Sequence, residues 1–415
     1  MQKIKQIYQN NKNIFHNLSY MTILKVFILV LPLISYPYLI RIVGGENFGT
    51  AIYSLSIIAF FRIIVQFGFN MSAVKNVAEN TENKKKLSII VSSVLILQFI
   101  FYVIGFIILY LMIQFIPQIQ EHTELLYYAY LLPLCDMLSL VWFFQGIEKM
   151  KYITIINVIG GLIGLAFIFI FIQEREDYIY IPLLQAISLL SGSIYSLWLV
   201  FQEEKISFII PKKSDLLFYL KESTPFFISR SSAVFNTETN TLLLASFVSM
   251  SAVAYYDLAK KIIIVFQMPN SIINQVIYPN IAKTKNKILA KKIFYIRISI
   301  AFILMIVVYL FGEYFVSFLG GANMLETVEI LNIFSIMLFL TAISYYTGST
   351  LLVSFGYASK FNISVIYGTL LYIFVAVILY ITNNITMNNI IYMMLFVESF
   401  IMIYRYYYTK RYKIL

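Results

Sequence analysis

Residues Ser229–Thr241 read SRSSAVFNTETNT, and ten of these thirteen are polar or charged. Apolar residues bracket the stretch: Pro225, Phe226, Phe227 and Ile228 before it, Leu242, Leu243, Leu244, Phe247 and Val248 after it. Thr224 to Phe247 is about the length that spans a ~30 Å hydrocarbon core. A spanning helix that is polar in its middle cannot face lipid, because each charged side chain there costs roughly 2.5–3.5 kcal/mol or more. At 100° per residue, Ser229, Asn236 and Asn240 fall on one line of a helix, and Arg230, Thr237 and Thr241 on an adjacent line. One wide face of this segment is therefore wet, and it reads as the wall of a central cavity.

The surrounding chain is built for a membrane. It has 415 residues, 60% hydrophobic and 12% charged, with a mean hydropathy of +0.81. A soluble protein of this length would carry about twice that charged fraction. Cys135 is the one cysteine, so no internal disulfide is expected, and His16 and His122 lie too far apart in sequence to suggest a metal site. The lysines before the first apolar run resemble a signal peptide. That run is too long, contains Lys25 and lacks a small-x-small cleavage site, so it reads as an uncleaved first span.

Twelve apolar segments follow one another, at about 15–40, 47–71, 87–115, 124–146, 152–173, 179–202, 222–247, 252–278, 293–319, 328–352, 358–382 and 387–407. With the N-terminus in the cytoplasm, the inward connections and termini hold 24 of the 31 basic residues, among them Lys3, Lys5, Lys12, Lys84–Lys86, Lys212, Lys213, Arg297, Arg405 and Lys413. The outward connections hold only Arg41 and Arg175. This asymmetry places both termini in the cytoplasm and accounts for the net charge of +11 without nucleic acid.

Five basic residues remain within spans: Lys25, Arg62, Arg230, Lys260 and Lys261. Asp136, Glu238, Asp257, Glu313 and Glu398 are their acidic counterparts, of which Glu313 and Glu398 lie nearer segment ends and can snorkel. Asp257 can pair locally with Lys260 and Lys261 at i+3 and i+4. Intramembrane charges otherwise mark a substrate or ion path. Segment eight carries Tyr256, Lys260, Gln267, Ser271 and Asn274 on one face, and Pro269 should kink or break it. Segment two has a shorter stripe, Arg62, Gln66 and Asn70, and segment one is bent by Pro32 and Pro37. Polar or broken helices thus open each half. Ala51–Ser56 (AIYSLS) matches Ala254–Ala259 (AYYDLA) at a shift of 203 residues, half the chain. The expected architecture is an all-α polytopic membrane protein of about twelve helices in two pseudo-symmetric six-helix bundles, residues 1–205 and 222–415, joined by a cytoplasmic linker, 206–221, around a central cavity.

Gly44 to Gly49 has the outer spacing of a phosphate loop, but Thr50-Ala51 stands where Lys-Ser/Thr is needed, so direct ATP hydrolysis is not expected. Several stretches carry a resemblance: Pro37–Gly49 (PYLIRIVGGENFG), Phe67–Asn70 (FGFN), Trp142–Lys149 (WFFQGIEK), Tyr255–Ile262 (YYDLAKKI) and Tyr278–Ala282 (YPNIA). Together, in this order, they resemble the Wzx-type polysaccharide-unit flippases of the multidrug/oligosaccharidyl-lipid/polysaccharide exporter superfamily, over nearly the whole chain. The resemblance implies a MATE-like fold of two six-helix lobes, alternating access, and a bacterial inner-membrane location. It also implies a cargo, an undecaprenyl-diphosphate-linked oligosaccharide such as an O-antigen unit, moved to the periplasmic leaflet.

On that reading Lys25, Arg62, Arg230, Lys260 and Lys261 attract phosphate, while Asn236, Thr237, Asn240, Gln267 and Asn274 hydrogen-bond sugar hydroxyls. Asp136, Glu238, Asp257 and Glu398 are the candidates for coupling to protons or sodium ions, and no other cofactor is expected. Membrane lipids, a glycan polymerase and chain-length proteins are the implied partners. A drug exporter of the same superfamily would favour an acidic cavity. A membrane glycan polymerase or ligase would need a larger external loop than this chain has. A scaffold would have no use for SRSSAVFNTETNT in mid-membrane.

Overall fold

The computed structural model describes the backbone of residues 12–415 and the side chains from Ser19 on, except those of Ala233, Gln275, Val276 and Pro279. Lys3, Lys5 and the side chains of Lys12 and His16 lie outside the described residues. The described chain is helical throughout, without a strand. That is the arrangement hydrocarbon demands, because a helix satisfies its own backbone groups. Among the described residues, nine helices or joined helices are long and apolar enough to cross a bilayer, and the chain is a multi-pass membrane protein. The two polar helices, Lys213–Phe247 and Met250–Thr284, are 35 residues each; they have the length but not the apolarity.

Several boundaries differ from the sequence reading. The first two segments form one helical run, Lys12–Gln66, and its break falls at Gly44 (φ 81°, ψ 163°) rather than at Pro32 or Pro37, which both lie inside helix. Segment two does not continue to residue 71. Phe67 and Gly68 take positive φ and start a separate helix, Phe69–Ala78, so the Arg62, Gln66 and Asn70 stripe crosses a turn. Asn70 still donates to Gln66 at 3.1 Å. Segment four is three short helices, Thr123–Ala129, Leu131–Leu138 and Val141–Gly146. Met250–Thr284, by contrast, runs unbroken through Pro269.

The residues fall into two compact units, Met1–Thr239 and Asn240–Leu415, and the border lies within the Lys213–Phe247 helix. In the first unit an apolar core gathers Phe69, Val77, Leu87, Val91, Trp142, Phe143, Phe144 and Leu199. Small residues let its helices close up: Ser188 donates to the Gly160 carbonyl at 2.6 Å, where Met150–Phe171 meets Ile181–Trp198. The segment before Lys213 is tied down by backbone N–H groups, Ser207 to Ser88 Oγ and Ile209 to Ser92 Oγ. In the second unit Ile281, Phe294, Tyr346, Leu351 and Leu352 pack together beside a π-helical segment, Tyr346–Leu352, that continues the Thr327–Tyr345 helix.

The polar helix is docked on the first unit at one turn. Ser223 Oγ and Ser72 Oγ are 2.6 Å apart, Asn76 donates to Glu222 at 2.6 Å, and Lys75 pairs with Glu222 at 3.2 Å. Phe67 stacks on Phe227 with ring centroids 4.4 Å apart. Gly68 makes this approach possible. Its φ is 75°, and a Cβ there would stand 2.7 Å from the Phe226 Cβ, 2.8 Å from the Phe227 nitrogen and 2.9 Å from the Ser223 carbonyl oxygen. Gly356 is the natural control, with φ 91° and nothing within 4 Å of an added Cβ. Positive φ alone costs an alanine about 1–2 kcal/mol. Gly68→Ala should therefore lose most of the folded, monodisperse protein in detergent, while Gly356→Ala keeps most of it. Size-exclusion of the two variants side by side checks this, and equal yields would show that the approach at Gly68 is not close.

Candidate functional site

Each polar span residue now has a place. In the first unit the Arg62 guanidinium grips Asp136 in a two-pronged pair, Nε to Oδ2 at 2.6 Å and a terminal nitrogen to Oδ1 at 2.9 Å. One residue expected to hold substrate thus neutralises one expected to couple an ion. The fork geometry makes this a strong, directional pair, and half-burial keeps solvent from weakening it. Glu238 accepts a hydrogen bond from Ser56 at 3.0 Å. Lys25 lies half-buried on the first helix.

The polar stretch itself is graded. Ser229, Arg230 and Thr237 are exposed, and Asn236 and Glu238 are half-buried. Arg230 meets no carboxylate among the described residues. The stretch closes where it enters the second unit: Asn240 is 1% exposed and accepts from the Tyr372 hydroxyl at 2.8 Å, and Thr241 is buried as well. The two lines read from the helical wheel are therefore wet in their first turns and dry at their end.

In the second unit Asp257 is buried, one turn before half-buried Lys260 and Lys261. The Lys260 ammonium lies 6.0 Å from the centre of the Tyr256 ring. Further along the same helix, Gln267, Asn270 and Ser271 line a cavity of about 250 Å³ together with Arg297, Thr341 and Tyr345. Arg297 is 2% exposed. Its Nε donates to Asn270 Oδ1 at 3.3 Å, a terminal nitrogen donates to Asn274 Oδ1 at 3.0 Å, and the guanidinium lies 4.7 Å from the centre of the Tyr346 ring. Thr350 also donates to Asn274 Oδ1. Of the face expected on segment eight, Gln267 and Ser271 line this cavity and Asn274 is engaged by Arg297, a charge that the loop count places elsewhere.

Arg297 and Arg405, expected in the inward connections, are both buried inside helices instead. Arg297 lies ten residues into Lys287–Gly320, about 15 Å along the axis. Arg405 donates to Ser364 Oγ at 2.8 Å and to Ser344 Oγ at 2.9 Å, over the Phe361 ring. Glu398 lies within electrostatic reach of Arg405, so this coupling candidate shares a polar cluster with it. The signal for both is present in the sequence, since they fall within the apolar segments 293–319 and 387–407 and not between segments.

A family model described as polysaccharide biosynthesis protein matches residues 14–285, more than half of the chain. The chain belongs to this family. A relative in Escherichia coli (strain K12), whose provisional designation is O-antigen transporter, is 26% identical over 360 residues, covering 85% of this chain and 86% of the relative. A relative of the same designation in Shigella dysenteriae is 26% identical over 61% of this chain and 63% of its own length. Among solved structures, the lipid II flippase MurJ in an inward closed conformation matches with a TM-score of 0.75 at 15% identity, over 94% of this chain and 87% of that one. An inward-facing multidrug resistance MATE family transporter of the MOP superfamily matches with a TM-score of 0.73 at 16% identity, over 93% and 94% of the two chains. The family read from the sequence motifs is the one found, and both named relatives carry the designation of transporter.

The Arg62–Asp136 pair should behave as structure. Arg62→Ala strands Asp136, and breaking a buried pair costs on the order of 3 kcal/mol, the low end of the usual range because Arg62 is partly exposed. Membrane levels of Arg62→Ala should fall several-fold, and adding Asp136→Ala should restore most of the loss. A double variant as poorly folded as the single one would show that the two side chains do not depend on each other.

Proposed function

We propose that this chain moves a lipid-diphosphate-linked oligosaccharide repeat unit, carried on undecaprenyl diphosphate, from the cytoplasmic to the periplasmic leaflet of the bacterial inner membrane. The observation that carries the proposal is Arg230: an exposed guanidinium without a carboxylate partner among the described residues, in the middle of a polar stretch bracketed by apolar residues on one 35-residue helix. The designation of the curated relatives and the MurJ-like fold support the same reading.

The physics of the cargo explains the design. A glycan head crossing bare hydrocarbon would lose many hydrogen bonds, at several kcal/mol for each uncompensated group. Its diphosphate adds charge that cannot be buried unpaired. Ser229, Asn236 and Thr237 exchange hydrogen bonds with sugar hydroxyls, and Arg230 takes phosphate oxygens two at a time. Lys25, Lys260 and Lys261 add positive charge along the path, while the polyprenyl tail stays in lipid. Arg62 and Asn240, already engaged with Asp136 and Tyr372, hold the path in shape.

Transport proceeds by alternating access of twelve spans in two six-helix halves, 1–205 and 222–415, with the linker 206–221 and both termini in the cytoplasm. The break at Gly44 and the two polar helices bring the nine apolar spans to that number. An ion gradient drives the cycle through one of Glu238, Asp257 and Glu398; Asp136, locked by Arg62, is the least suited. A glycan polymerase and chain-length proteins receive the flipped unit.

Arg230→Ala should block export of surface glycan, with lipid-linked intermediate accumulating on the inner leaflet and the protein at its normal level. Losing a charge-assisted contact costs about 1.5–3 kcal/mol, a tenfold or larger fall in transport. Arg230→Lys should recover part of it, keeping the charge without the fork. Normal export by a normally expressed Arg230→Ala, Lys260→Ala double variant would overturn the assignment. Unpolymerised units on the outer leaflet would point to a polymerase instead.

A further inference from the structure

Arg62 has Asp136 against it, and Arg405 lies within electrostatic reach of Glu398. Arg297, the most buried of these arginines, meets no carboxylate among the described residues. Its partners are two neutral amide oxygens, of Asn270 and Asn274, and the face of Tyr346. A guanidinium has five N–H donors in a rigid fork. Two are used here, and the others find no acceptor among the described residues. A buried cation left in this condition is costly, and a protein keeps one where an anion meets it.

The space for that anion lies beside it. Arg297 forms part of the wall of the cavity of about 250 Å³, whose lining belongs wholly to the Asn240–Leu415 unit. The rest of the polar lining consists of neutral side chains that carry donors: Gln267, Asn270, Ser271, Tyr345, and Thr341, whose hydroxyl donates to the Leu338 carbonyl at 3.1 Å and must turn to meet a ligand. Ser271 and Tyr345 are exposed and mark its mouth. Among the described residues, no acidic side chain lines it. One fixed cation ringed by neutral donors is what a phosphate or carboxylate requires, and its charge repels a cation.

We propose that this cavity is an oxyanion-binding site in the second unit, separate from Arg230, with Arg297 as its charge partner and Thr341 and Tyr345 as supporting donors. That the oxyanion belongs to the transported lipid, as its diphosphate or as the carboxylate of an acidic sugar, rests on the flippase reading. The site itself does not.

The test uses the full chain, purified into phosphatidylcholine nanodiscs, with radiolabelled farnesyl diphosphate as probe and farnesol, pyrophosphate and glucuronate as competitors. The wild type should bind the probe saturably, and farnesol should not compete. Competition by pyrophosphate assigns the site to a phosphate, and competition by glucuronate alone assigns it to a sugar carboxylate. R297Q should weaken binding about tenfold to a hundredfold, and R297K should recover part of it. Should R297Q fail to fold, Thr341→Val with Tyr345→Phe removes two donors while leaving the bonds of Arg297 intact, and must weaken binding on its own. No saturable binding by the wild type would overturn the proposal. So would wild-type affinity in R297Q or in the Thr341→Val, Tyr345→Phe variant. Binding lost in Arg230→Ala but kept in R297Q would place the oxyanion on the polar stretch and overturn this site while leaving the flippase reading in place. Unchanged surface glycan in cells lacking the gene would sink the flippase reading and leave the binding result standing.

Discussion

A charge at the depth of hydrocarbon must find its counter-charge or its hydrogen bonds inside the protein, and this chain meets that constraint in different ways at different places. Arg62 and Asp136 cancel each other in a two-pronged pair. Arg405 is held by serine hydroxyls near Glu398. Arg297 has amide oxygens and an aromatic face, which satisfy geometry without offsetting charge. Arg230 is left exposed. The first two arrangements are closed and read as structure. The last two leave positive charge to spare, and the functional proposals stand on them.

The same constraint shapes the backbone. Lys213–Phe247 is too polar to stand in lipid, so it must be held against protein, and the turn at Phe67–Gly68 provides the contact. A left-handed glycine there lets the Ser223–Phe227 backbone approach to a distance no other residue allows. The hydroxyl and carboxylate contacts of Ser72, Lys75 and Asn76 then fix its register. From Thr239 to Asn240 the helix passes to the second unit, where Tyr372 takes over.

Much of this is legible in the amino-acid sequence. Composition and the distribution of lysine and arginine carry the membrane class, and SRSSAVFNTETNT identifies the helix that cannot face lipid. Helical spacing alone puts Gln267 and Ser271 on one face, and both line the cavity. What stays hidden depends on partners remote in sequence. Arg62 and Asp136 are 74 residues apart, and nothing local marks them as a pair. Arg297 and Arg405 read as loop residues because lysine and arginine near a span end ordinarily snorkel to the interface; their burial comes from Asn270, Asn274, Ser344 and Ser364 on other helices. Pro32, Pro37 and Pro269 lie within helices, and the chain turns at Gly44 and Gly68, where positive φ rather than a missing donor sets the path.

The most direct measurement of the central claim is leaflet exchange by the purified chain. Proteoliposomes carrying a fluorescent, short-chain lipid-diphosphate-linked sugar are treated with a membrane-impermeant quencher, with and without an imposed proton or sodium gradient and without ATP. The account predicts that the protein raises the rate at which labelled lipid reaches the opposite leaflet at least tenfold over protein-free vesicles, and that one of the two gradients speeds it further. A rate equal to that of protein-free vesicles, from protein shown to be folded, would contradict it.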